Sequence, residues 1–502
     1  MPDKFTADDI DDQPIQYSLG RPSERTGIGG LSAATTGVIA GGGLLFIFMA
    51  MSGKTLIGAV VVVPLTVIIA ALVGIKISGR SLIENMVIAV FGVLARARGA
   101  GLYVAGPFSR VPGGRRRLPG LLARTETVSG VDGDGREFTS VVDRPRKSVT
   151  VVFDCQMSGQ TAQTQAERNA ATAEWSRWLS ELSLSGDIEQ AVVVIGSRPG
   201  TGNLIAREVS EIRSDSAPQV ARQIMSEAAA EISVGIPDLV SHIAITFKVE
   251  AVKGNVFMEQ LANRLPQLYS SLSWAGILAE PMTEEALVAR VHSFFNPAAE
   301  ADFEALHIAD TAHEIDWHDA GPSVAVAHPN SYYHDGCYSV TWEMREGPRS
   351  TFEDRILTSL IRPHDRITRK RVALIYRPFE AGQGARRVES EHKDALAAAN
   401  STKALTAASA QMRIEHTEAA RRAQARGAQL GRYSLWVTAT VDDRAQLPRV
   451  RQEIEHLGAA SSVRLDLLRN QQDAGFEITC GMGQVPWGKQ TTKKAALQFT
   501  AE

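Results

Sequence analysis

Hydrophobic positions fall into two regimes along the chain. Leu31 to Gly53 is 23 residues without a charge, and after Lys54 another 21 uncharged residues run from Thr55 to Ile75. A helix crossing a hydrocarbon core takes about 20 mostly apolar residues. The pattern therefore predicts a two-helix transmembrane hairpin over 31–76, turning at Met51–Thr55. A buried soluble hairpin rarely stays uncharged for so long. A cleaved signal peptide fits worse, because its apolar stretch is shorter and opens near the start. Here an acidic leader containing DDIDD comes first, and residues 1–30 are expected to be disordered.

The next segment, 77–124, reads as an interfacial helix and a basic linker. Asn85 to Ala95 is apolar but only 11 residues long, too short to span, and basic residues close it. FSRVPGGRRRLPGLL follows, with Arg115, Arg116 and Arg117 in a row. That run suits contact with anionic headgroups, and equally a solvated linker that enforces topology. Between Lys76 and Arg124 nine basic residues face one acid, Glu84. Positive charge collects on the cytoplasmic side. Both termini and the whole 76–502 region are therefore expected on the cytoplasmic side of a membrane.

Beyond residue 124 the period changes to two. Val149, Val151 and Phe153 alternate with Thr150, Val152 and Asp154, and similar alternation covers Ile243–Val249, Tyr338–Met344, Val372–Tyr376 and Tyr433–Val441. These read as half-buried strands, with AVVVIG (191–196) as a central one. Helical patterns occupy 160–183, 217–233, 257–273, 283–295, 352–361 and 443–457. Half-wet strands mixed with helices indicate an α+β fold with helices on one face. The order recurs from about 150 to 252 and again from about 337 to 468. Two α+β subdomains of possible ferredoxin-like build are expected, at 125–330 and 331–484, with a flexible tail at 485–502. Residues 385–429 are alanine-rich and predict a long helix, either an arm toward a partner or a helix lying on its own sheet through Leu396, Leu405, Met412 and Ile414.

Composition narrows the chemistry. Fifty-three basic and 56 acidic side chains leave −3, so nothing indicates direct nucleic-acid binding. Cys155, Cys337 and Cys480 are too scattered for a disulfide framework or a zinc site. Gly483 to Lys489 has phosphate-loop spacing, but Gln490 stands where a hydroxyl must bind magnesium. MSGKT (51–55) lies in the membrane turn, and Phe48 replaces the first glycine. His307, His313, Glu314, Asp316 and His318 miss HExxH, because Trp317 occupies the second histidine position. GxSxG is absent, and GSRPGTG (196–202) lacks dinucleotide spacing. No catalytic, cofactor or metal residues are assigned, and the chain reads as a non-enzyme.

The N-terminal hairpin, LARARGAGLY and RVPGGRRRLPGLL resemble the small two-helix PrgI-like membrane subunit of type IV (conjugation) secretion. Arg369–Pro378, Tyr433–Asp442 and Leu465–Gly483 resemble the amino-terminal, non-ATPase domain of CagE/TrbE-type secretion ATPases, in the combination found in high-GC Gram-positive bacteria. The resemblance implies a structural membrane subunit that docks a separately encoded secretion ATPase, contacts other channel subunits and works as an oligomer. It leaves no hydrolytic residues to carry over, since the chain stops where a motor domain would begin. A membrane component of type VII secretion is the alternative, and a membrane-bound nucleotide hydrolase using 483–489 a more distant one. Phe476, Ile478, Val485 and Trp487 are then expected either as an exposed docking patch or, for Trp487, folded back onto the sheet.

Overall fold

The computed structural model describes residues 13–17, 19, 33–77, 80–106, 118–157, 159, 163–212, 214, 216–233, 237–249, 254–348, 350–401, 407–425 and 427–486. It is an α+β structure. The described chain begins with α1 (Ala33–Met51), α2 (Thr55–Gly74), a small ribbon of β1 (Lys76–Ile77) and β2 (Arg80–Ser81), α3 (Leu82–Ala97) and β3 (Leu102–Val104). The turn Gly58–Val62 inside α2 is π-wound, just ahead of Pro64. A proline lacks the amide that a regular helix would need there, and a wider turn accommodates it.

One connectivity is then used twice. The first unit runs β4 (Thr125–Val131), β5 (Glu137–Asp143), β6 (Ser148–Met157), α4 (Gln165–Leu184), β7 (Ile188–Pro199), the pair α5 (Asn203–Ile212) and α6 (Gln219–Ser233), β8 (Pro237–Lys248), α7 (Gly254–Ser270), β9 (Ile277–Pro281) and α8 (Glu284–Phe295). A connecting α9 (Glu300–Ile308) follows. The second unit repeats the order as β10 (Val324–His328), β11 (Ser331–His334), β12 (Cys337–Glu346), α10 (Thr358–Ile361), β13 (Arg369–Pro378), the pair α11 (Ala381–Ser401) and α12 (Ala407–Ala425), β14 (Gly431–Val441), α13 (Leu447–Ala460), β15 (Arg464–Leu467) and α14 (Gln472–Cys480).

Strand pairing follows the same rule in both. β6 lies between β8 and β9, with β7 outside β8; β12 lies between β14 and β15, with β13 outside β14. Along β6 the partner changes from β5 to β9 at Phe153, and along β12 it changes from β11 to β15 at Trp342. With those two aromatics taken as equivalent, Ile243 matches Val437 and Val193 matches Val372. The outer strands β7 and β13 pair antiparallel with each other, Ala373 opposite Val194. A pseudo-twofold axis therefore passes through the Val194–Ala373 pair, and all of β3–β15 form one 13-stranded sheet. The sheet is continuous across the boundary expected at 330/331, which falls in the two-residue turn between β10 and β11.

Helices cover both faces, not one. Val151, Phe153, Ile243 and Ile245 pack under α4 and α7 through Trp178, Leu182, Leu261 and Leu265. On that same face Trp342, Val372 and Val437 pack under α10 and α13 through Leu360, Val450 and Ile454. The opposite face, with Val152, Val194, Ala244 and Ala373, is covered by α8 (Val288, Val291, Phe295) and α14 (Phe476, Ile478). β6 is consequently buried on both sides from Ser148 to Phe153, which corrects the half-wet reading. The pattern at 352–361 shrinks to the single turn Thr358–Ile361. The alanine-rich stretch is not one long helix either. α11 and α12 pack side by side, with His392 Nδ1 3.0 Å from Thr417 Oγ1 and Arg421 bonded to Glu389 at 3.2 Å. Leu396 is exposed, and Leu405 lies outside the described residues.

The C-terminal segment stitches the units together. α14 lies over the second unit, and residues 481–485 continue across the first. At Gly481 (φ 70°) any Cβ would come within 2.6 Å of Val194 Cγ2 and 2.8 Å of His242 Nε2, so only glycine fits. Gln190 Nε2 then donates to the Gln484 carbonyl oxygen at 3.0 Å. The Arg371 guanidinium lies 4.2 Å from the Phe294 ring centre and 4.4 Å from that of Phe476, joining α8 to α14 by cation–π contact. Phe476, Ile478 and Val485 are therefore core, not a docking patch. Trp487 and Lys489 lie outside the described residues. Phe476→Ala should cost about 3–5 kcal/mol, read as a lower denaturation midpoint of the full chain in detergent.

Candidate functional site

The hairpin of α1 and α2 is the feature most at odds with water. Apolar side chains are exposed all round it, including Leu44, Phe48, Met51, Leu56, Val60, Leu65 and Ile68. A soluble hairpin would bury one stripe of each helix against a core. Here Gly58 and Val62 are the buried residues of the π-turn, and no residue of Val63–Gly74 is buried. Among the described residues one helix, Thr55–Gly74, is by itself long and apolar enough to cross a membrane, while Thr35–Met51 is apolar but shorter.

Small residues let the two helices touch. The Gly42 Cα faces the Thr66 side chain with no room for a Cβ, a Cβ at Gly58 would lie 3.1 Å from the Phe46 ring, and one at Gly74 would lie 3.2 Å from Thr35 Oγ1. Close backbone approach of this kind drives helix association where no water is available to drive it. Thr66 Oγ1 also donates to the Val62 carbonyl oxygen at 2.7 Å, which satisfies its hydroxyl within the helix.

The chain before and after the hairpin contacts the α+β body, upstream at 13–17 and downstream from Arg80; residues 18 and 20–32 lie outside the described residues. Upstream, the Tyr17 and Phe352 backbones exchange hydrogen bonds of 2.7 and 2.9 Å, and Asn169 Nδ2 donates to the Gln13 carbonyl oxygen. The leader is thus anchored at 13–17 rather than free throughout; residues 1–12 lie outside the described residues. Beneath it a buried pair, Arg168 with Asp354 at 3.0 Å, ties α4 to the second unit. Downstream, Arg80 bonds Glu343 at 3.2 Å and Gln471 at 3.1 Å. Ser81 and Glu84 form a capping box that starts α3, and Arg96 reaches Asn470 at 2.6 Å. The remaining faces of α3 expose Ile83, Met86, Val87, Val90, Phe91 and Leu94. Arg110 and Arg115–Arg117 lie outside the described residues.

Where the linker re-enters, Leu118 and Leu122 are core and the Glu477 carboxylate accepts from the Leu121 amide. Burial, then the neighbouring Asp473, raises the Glu477 pKa well above its ordinary 4.5. The folded state therefore favours its protonated form. That contribution is full below about pH 4.5 and is lost as pH rises through the raised folded-state pKa.

The motifs weighed for catalysis are scattered. His313 Nε2 lies 2.9 Å from the Glu285 carbonyl oxygen, and Trp317 is buried with Nε1 donating to Thr125 Oγ1 at 3.1 Å. Gly483 (φ 97°) packs against Thr150, which makes the start of the 483–489 loop part of the sheet's cover. All three cysteines are buried, and burial pushes each thiol up to about 12. Sequence reasoning missed the attachment residues Arg80, Glu343, Asn470 and Gln471, which no local motif connects. No protein-family model matches the chain, and no curated protein matches it.

Two outcomes check this geometry. Cysteines placed at Phe46 and Gly58 should cross-link on mild oxidation, and adding Gly42→Leu should lower the yield severalfold. Glu477→Gln should flatten the decline in stability that sets in as pH rises above about 4.5, measured by denaturant titration at each pH.

Proposed function

We propose that this chain is a non-enzymatic membrane-anchored subunit of a type IV, conjugation-like secretion apparatus. In this reading α1 and α2 both cross the bacterial cell membrane, and the sheet stands in the cytoplasm as a platform for a separate secretion ATPase and other channel subunits. One observation carries it: the hairpin exposes apolar side chains along both helices, while the chain before it at Tyr17 and after it at Arg80 contacts one polar body. Such a hairpin must leave and return on the same side, so an even number of crossings suits it. The nine basic residues between Lys76 and Arg124 favour the cytoplasm as that side.

The two units read as a tandem duplication of a ferredoxin-like unit, each with a helical pair inserted between its second and third strands. Antiparallel pairing of β7 with β13 sends the insertions to opposite ends of the sheet. α11 and α12 leave from the end where β12 finishes and α3 attaches; α5 and α6 leave from the far end. The far pair exposes Ile212, Val220 and Ile224. That position suits a cytoplasmic partner.

Topology and partner are tested separately. A cysteine at Ser52 should react with an impermeant thiol reagent on intact cells while Cys337, buried in the sheet, does not; labelling only after lysis would reverse the orientation. Affinity capture of the full chain from detergent-solubilised membranes should recover a secretion ATPase. Recovery of small WxG-type substrates with their own motor would move the assignment to type VII secretion. ATP hydrolysis by the purified chain that Lys489→Ala abolishes would make it an enzyme.

A further inference from the structure

α3 touches the sheet at two places and stands away from it between them. At its start Arg80 reaches Glu343 and Gln471; further along, Gly92 lies against Asn470 so closely that a Cβ would be 2.8 Å from it, and Arg96 bonds the same side chain. The gap is an open pocket of about 480 Å³ lined by Arg80, Ile83, Glu84, Val87, Ile88 and Arg345. Its walls differ in character. Ile83 and Val87 are exposed apolar side chains on α3. Facing them, the Arg345 and Arg80 side chains are only 15% and 20% exposed.

Both arginines share one carboxylate, Glu343, at 3.1 and 3.2 Å. Arg345 Nε is buried without a hydrogen-bond partner, and it meets the Asp466 carboxylate only as an ion pair at 3.8 Å. Two guanidiniums on one carboxylate leave forked donors unsatisfied, and a phosphate oxygen is the acceptor that fits them. Glu84, the acid on the rim, is held by the Ser81 amide at 3.0 Å. It repels a free dianion more than a phosphodiester that carries one charge.

We propose that this pocket binds one membrane phospholipid, its phosphate against Arg80 and Arg345 and an acyl chain along Ile83, Val87 and Ile88. Basic pockets at the cytoplasmic side of membrane helices take lipid headgroups in this way. The inference rests on the membrane reading of the hairpin. It gives α3 a second role, since the lipid fills the space between that helix and the sheet and fixes the angle at which the hairpin leaves.

The full chain, reconstituted in bilayers of phosphatidylcholine and phosphatidylglycerol and released into mild detergent, should retain one phospholipid per chain by native mass spectrometry. Arg80→Gln/Arg345→Gln should reduce retention about tenfold, and so should Val87→Asn. The latter alters a side chain that is 46% exposed, so it carries the test even if the double variant misfolds. Inorganic phosphate should not displace the lipid. Unchanged retention in Val87→Asn and in a folded double variant would overturn the proposal. Displacement by phosphate with full retention in Val87→Asn would overturn the lipid in favour of a free-phosphate site. A chain recovered in the soluble fraction without detergent would instead sink the membrane reading, before any lipid is measured.

Discussion

Antiparallel pairing of β7 with β13 is the constraint on which the rest depends. Each is the outermost strand of its unit, and each alone would present a row of unpaired amides and carbonyls. Placed edge to edge from Lys370–Ser197 to Tyr376–Ala191, they satisfy one another and turn two small sheets into one. The twofold relation follows, because antiparallel edges of equivalent strands can meet only about an axis between them. So does the burial of both faces. Phe153 and Trp342 lie under helices on one side, and α8 and α14 meet through Arg371 on the other.

That rigid body explains how the hairpin is held. Tyr17 and Arg80 both contact residues of the second unit, Phe352 and Glu343, which brings the chain before and after the hairpin to one unit. Arg168, from the first unit, bonds Asp354 beside the Tyr17 contact, so the hold extends across the axis.

Much of this was legible from residue order. The alternation at Val149–Phe153, Tyr338–Met344 and Tyr433–Val441 marked β6, β12 and β14, and the recurrence near 150 and 337 falls where the connectivity repeats. The uncharged runs marked the hairpin. What escaped did so for physical reasons. α14 has nine residues, too few to show a period, and its buried Gln472, Glu477 and Thr479 bond to Thr341, Leu121 and Thr438, partners far away in sequence that composition cannot reveal. Helices on a second face were hidden because Thr150 reads as a wet position in β6, whereas it is buried there against the Thr246 hydroxyl. The α11–α12 pair read as one helix, since alanine-rich sequence propagates a helix without signalling where it turns back. The pocket beneath α3 depends on Arg80 meeting Glu343 across 263 positions, a contact made by topology alone.

A single sheet with a shared joint should unfold as one cooperative body. Native-state hydrogen exchange on the full chain in detergent reads this directly, through peptides from β6 in the first unit and β12 in the second. The account predicts that the slowest amides of both strands exchange with one common opening free energy and one common dependence on denaturant. Two separate values, with one unit opening while the other stays protected, would contradict it and would make the β7–β13 junction a contact between independent domains.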